Sequence, residues 1–219
     1  MQWCALSLVL VVAGCSAADV TPGVLVSGEP EVYVQQVEGG YPEGFLEEVT
    51  VVAGNLLTSY VETSDRITSR QQDAHTLRPL VTAQWWEQEE EGFRYFETHN
   101  LRTLGTSTLT RILVSSARTT PEGLIEVGAI ACVDSTSVFV FSAELPDPPA
   151  ELWDWHPHYE EFAGDEQARA DIESFLSHPT VSSGTHEAVM WWLEGDTIEE
   201  LRIDSSEPWW GVYSCSSEK

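Results

Sequence analysis

The densest group of metal-ligand side chains in the sequence is His156-Pro157-His158, with Asp154, Glu160 and Glu161 around it. Imidazole and carboxylate together hold zinc and related ions. On an extended stretch residues two apart point the same way, so His156 and His158 would turn both rings toward one ion. The motif is short, kinked by its proline and set among many acids, and a solvated surface loop is the simpler expectation. His75, His99, His178 and His186 are scattered singly and read as surface or capping residues. Neither G-x-S-x-G nor H-E-x-x-H occurs, and there is no phosphate loop or dinucleotide fingerprint. Ser216 and Lys219 spell S-x-x-K with no helix to orient them. No catalytic set and no cofactor are expected.

Aromatic side chains are the second candidate. The nine tryptophans include the doublets Trp85-Trp86, Trp191-Trp192 and Trp209-Trp210, with Trp153 and Trp155 in a Pro-rich stretch. On a strand a doublet sends one ring to each face. One ring then joins the core while its neighbour meets solvent, a glycan or a protein partner. Trp155, Trp192 and Trp210 are the candidates for such contact. Core and rim packing is the ordinary use of large rings.

Thirty-six Asp and Glu stand against ten Lys and Arg, a net charge of −26, and Lys219 is the sole lysine. That field repels phosphate backbones and anionic headgroups, which argues against nucleic acid as a partner. At the amino end, residues 5 to 14 form an apolar run that is too short to span a bilayer and has the length of a signal-peptide core. It ends at Val12-Ala13-Gly14-Cys15. This tetrapeptide resembles the lipobox of bacterial lipoproteins, which implies cleavage before Cys15 and acylation of its sulfur; more than one acyl chain makes such an anchor stable. Residues 1–14 carry no Lys or Arg, a departure from the usual basic start. The expected address is the extracytoplasmic face of the cell membrane, with the lipid bilayer as partner through Cys15. Cys132 and Cys215 remain outside the leader, an even count in an oxidising compartment, and are expected to pair. A zinc site is the weaker alternative, since no C-x-x-C spacing exists.

The elements follow from periodicity. Residues 15–42, rich in Ser, Thr, Pro and Gly, read as a tether, with a short strand over Val24 to Val26 and Val32 to Val37 as the alternative. Residues 43–219 read as one domain. Phe45, Val49, Val52, Leu56 and Tyr60 share a helix face, and Glu47 and Glu48 suit its first turn. A short helix over Gln72 to Val81 contains Pro79. Thr82 caps a third helix ending near Asn100, with Trp86, Phe93 and Phe96 on one face. Glu87, Glu89, Glu90 and Glu91 lie mostly on the other, as a solvated face. Three strands (from Thr108, Leu124 and Val138) then form an antiparallel meander, in which Arg111 and Glu126 can pair across strands. An insert near 144–180 contains a helix over Asp165 to Ser177. A hairpin across Glu194-Gly195-Asp196 and a strand from Trp209 to Cys215 close the chain.

This order is that of an α+β domain: N-terminal helices packed on a curved antiparallel sheet of about five to six strands, cone-like in shape. With Leu80-Val81-Thr82-Ala83-Gln84-Trp85, Phe93, Ile130-Ala131-Cys132-Val133-Asp134 and Trp210-Gly211-Val212-Tyr213, it resembles exported bacterial lipoproteins with a nuclear-transport-factor-2-like domain. The resemblance implies a cavity between sheet and helices, used in that superfamily by isomerases, dehydratases and interaction modules alike, so fold does not choose among them. The expected role is a non-enzymatic, membrane-tethered binding or interaction domain, whose partner is an envelope protein or an apolar small molecule. The alternatives are an isomerase- or dehydratase-type enzyme and a cell-wall glycan-binding module.

Overall fold

The computed structural model describes residues 31–34, 44–145, 166–178, 181–209 and 215. Cys15, Trp155, His156, His158, Trp210 and most of the insert lie outside them. Along the chain run β1 (Glu31–Val34), α1 (Phe45–Thr68), a 3-10 helix (Ala74–Leu80), α2 (Ala83–Thr98), β2 (Leu101–Leu104), β3 (Thr108–Thr119), β4 (Ile125–Asp134), β5 (Phe139–Ser142), α3 (Glu166–Leu176), β6 (Ser182–Ser183), β7 (His186–Gly195) and β8 (Arg202–Pro208). The fold is α+β, as expected.

The strands form a five-stranded sheet in the order β1-β3-β4-β7-β8 and a three-stranded sheet in the order β2-β5-β6. β1 runs parallel to β3, pairing Val32 with Ile112, so these four residues take the strand alternative. β3, β4, β7 and β8 are antiparallel neighbours, with register breaks at Leu109/Arg111, Val114/Ser116 and Trp192/Leu193. Such bulges bend a sheet.

The expected meander needs correction. β3 and β4 pair, but β5 leaves them and pairs with β2, while β7 takes the free edge of β4. Gly105 makes this possible. It sits at φ +92°, and a Cβ there would lie 2.0 Å from the Ser137 carbonyl oxygen. Only a residue without a side chain lets the β2–β3 turn come this close to the β4–β5 turn. The Arg111–Glu126 pair is also corrected: Glu126 faces Arg118 in the register of β3 and β4 and bonds its guanidinium. The bulge beside Arg111 places it opposite Cys132 instead.

α1 continues its apolar stripe beyond Tyr60 through Val61 to Ile67. It packs on the inward side chains of the sheet, which alternate as strand periodicity requires: Ile112 and Val114, Val127, Ala129 and Ala131, Val189, Trp191 and Leu193. The short helix expected here is a 3-10 helix, with Pro79 inside it near its end. Its Leu77 is fully buried. Thr82 caps α2 by accepting the Trp85 N–H at 3.2 Å, and its hydroxyl donates to Asp204 at 2.9 Å, fixing the start of α2 to β8. A smaller core under the second sheet joins Leu104, Phe141 and Ile172, with the Phe175 ring edge-on to Phe141.

The reverse face of the large sheet carries Ile130, Cys132 and Met190, all buried. Cys132 forms the expected disulfide with Cys215, their Cα atoms 5.5 Å apart. No helix among the described residues is long and apolar enough to cross a membrane.

Candidate functional site

A cavity of about 220 Å³ opens between α1, α2, the inward face of β4 and β7, and the strands β2, β5 and β6. The spacing on α2 explains its roof. Trp85, Glu89, Phe93 and Phe96 recur every three or four residues and face inward together. Tyr60, Ser64, Asp65 and Thr68 do the same on α1. Trp191 of β7 forms the inner wall, with the Tyr60 ring edge-on to it at 5.0 Å and 73°.

Two polar arrangements lie in this wall. The Tyr60 hydroxyl donates to Glu89 Oε1 at 2.7 Å. Burial pushes the Glu89 carboxyl up to about 7, although the bond from Tyr60 pulls the other way. The Tyr60 phenol is held well above its ordinary value, by burial first and then by the Glu89 charge, so Tyr60 remains the donor. The Trp85 indole N–H is close enough to favour the ionised Glu89 but closes no well-aligned hydrogen bond.

The second arrangement is a hydrogen-bonded chain. Asp65 Oδ2 accepts the Ser107 backbone N–H at 2.5 Å, and its Oδ1 accepts the Ser107 hydroxyl at 3.1 Å. The Ser107 oxygen in turn accepts from the Ser135 hydroxyl at 2.9 Å. Burial pushes Asp65 up to about 6 against these bonds. The chain ties α1 to both turns that Gly105 brings together. Glu187 of β7, half-buried at the same cavity, is also raised by burial.

Three carboxylates therefore line one hollow, and among the described residues that line it none is Lys, Arg or His. The buried Trp191 Nε1, on the inner wall, closes no hydrogen bond. Unpaired buried donors are costly. A larger hollow of about 500 Å³ lies between the end of α1, the 3-10 helix and α2, where Arg70 and Arg94 stand among Asp73, Glu90 and Glu97.

Of the residues singled out from sequence, Trp192 is described and lies on the opposite face of the sheet, 41% exposed, while Trp85, Trp86 and Trp191 are buried. The doublet on β7 divides as a strand dictates, and the one on α2 turns both rings inward. The expectation of a solvated face for Glu89 is corrected: it is part of the cavity wall. Asp65, Glu187, Ser107 and Ser135 were not singled out at all. The ligand atoms of Cys132, His186 and Cys215 lie within 4.8 Å of one another, but sulfurs bonded to each other offer no thiolate to a metal.

No protein-family profile and no curated protein matches the chain. Among solved structures, the intermembrane space region of the chloroplast protein ARC6 is similar at a TM-score of 0.45 and 9% identity, covering 72% of this chain and 94% of that one. A likeness of that degree carries no argument about fold or function.

Proposed function

We propose that this chain is an extracytoplasmic lipoprotein whose domain binds a small molecule in the cavity between α1, α2 and the sheet. The observation that carries the binding role is the cavity itself: a space of about 220 Å³ with aromatic walls and three carboxylates. Binding without turnover is favoured because both Asp65 oxygens are engaged by Ser107, which makes this carboxylate a strut rather than a free base. The enzymatic reading is favoured by one feature, Glu89, whose carboxyl titrates near neutral pH, where a general acid or base works best.

Trp191 makes occupancy visible. Titration with 2-phenylethanol, a neutral probe of suitable size, is expected to change tryptophan emission saturably, with an affinity of about 1 mM for so small a ligand. Val140→Phe, which adds bulk to the cavity wall, should abolish that response. A linear response, or one that Val140→Phe leaves intact, removes the cavity as a binding site.

The membrane address rests on Val12-Ala13-Gly14-Cys15. Cells fed a clickable palmitate analogue should label the chain, and the Cys15→Ala variant should take up no label. Equal labelling of the two would end the anchor proposal.

A further inference from the structure

We propose that the ligand is a small organic ammonium cation, seated with its charge toward Glu89 and its apolar body against Trp191 and Phe93. This rests on the cavity being a binding site.

Withdrawing carboxylates from water is unfavourable unless a cation or hydrogen bonds compensate. Buried acids normally find a Lys or Arg, and none lines this cavity. Arg66, next to Asp65 in sequence, is exposed and turned to Glu62 at 3.9 Å and Gln72 at 3.0 Å. Asp65 is held by Ser107 and still feels the Arg66 charge, whereas no cation acts on Glu89, and that charge is left for a ligand to bring. Aromatic rings of Tyr60, Trp191, Phe93 and Phe96 complete the wall, and ring faces attract cations. The net charge of −26 concentrates cations near the opening and repels anions.

A bare metal ion fits less well. Calcium and magnesium need several oxygens converging at about 2.0–2.6 Å. Among the described residues, the one group of three or more acidic, His or Cys ligand atoms close enough together is the disulfide with His186. The three cavity carboxylates do not converge on one point, whereas an ammonium needs only Glu89 for its charge and the rings for its apolar body.

Three matched probes test the charge: 2-phenylethylamine, 2-phenylethanol and 3-phenylpropanoate, each followed by tryptophan emission. At pH 8 the amine is expected to bind about tenfold tighter than the alcohol, and the carboxylate not measurably. The amine's advantage should shrink between pH 8 and 5.5 as Glu89 takes up a proton near pH 7. The other titratable groups of the cavity act in the same sense or are silent: Asp65 takes up a proton near pH 6, burial shifts Glu187 in the same direction, and Tyr60 stays protonated. An alkylammonium keeps its charge throughout this range. Glu89→Gln should cut amine affinity at least about threefold and spare the alcohol, whose retained binding shows the variant is folded. Equal affinity for amine and alcohol, or an amine advantage indifferent to pH and to Glu89→Gln, overturns the cation and leaves the cavity. Failure of all three probes overturns both.

Discussion

Replacing both Cys132 and Cys215 with alanine is expected to lower stability by about 4–5 kcal/mol, read as the shift in urea midpoint at constant slope. The two are separated by 83 residues. Cutting a link over so long a loop returns much chain entropy to the unfolded state. The native side loses little, since an alanine is only slightly smaller and Cys132 packs on a face already covered by Ile130 and Met190. Reduced wild-type protein should unfold near the variant's midpoint. A loss below about 1 kcal/mol would show that the bond merely decorates a terminus that is held by other contacts.

The second large effect concerns acid. Asp65 and Glu89 have folded-state values of about 6 and 7, above the 3.8 and 4.5 of the free side chains. Between those limits the native state holds more protons than the unfolded chain, so stability must rise as pH falls. The destabilising contribution is absent below about pH 4, grows through the interval and is complete above about pH 7. Full burial would make it about 6 kcal/mol for the two groups together, but both line an opening to solvent, and about 3 kcal/mol is the expected size. Urea midpoints at pH 5 and pH 8 check this. Surface repulsion from the excess acids has the same sign and is reduced by added salt, so the decisive comparison is with Glu89→Gln at fixed salt. That variant should gain stability at pH 8, and its midpoint should vary less with pH. A wild-type midpoint that is flat, or lower at pH 5, would contradict the burial assigned to these carboxylates.

Local periodicity made the elements legible and left the site hidden. The α1 stripe is plain from Phe45 to Tyr60, then Glu62, Ser64 and Asp65 interrupt it with polar residues, and a helix ending near Tyr60 follows naturally. Val61 and Ile67 carried the signal onward, and with them the face that holds Asp65. Glu89 was masked by its neighbours in an acidic run. Its placement four residues after Trp85 and four before Phe93, both buried, marks it as inward-facing. The strand from Val138 is legible in its residues, but its partner is not, because pairing between β5 and β2 depends on contacts 35 to 41 residues apart in the chain. The cysteine pair was legible from count alone, since pairing needs no knowledge of the path between.

The ends of the large sheet bear on behaviour in a crowd. One border is β1, only four residues long; the other is β8, which carries Arg202, Asp204 and Glu207 and stops at Pro208. A short rim and a charged rim closed by an imino acid both make poor templates for a stranger's backbone. With a strongly acidic exterior as well, concentrated copies of this chain should stay dispersed rather than zip into fibrils, even though the core strands are rich in the aliphatic residues that fibrils favour.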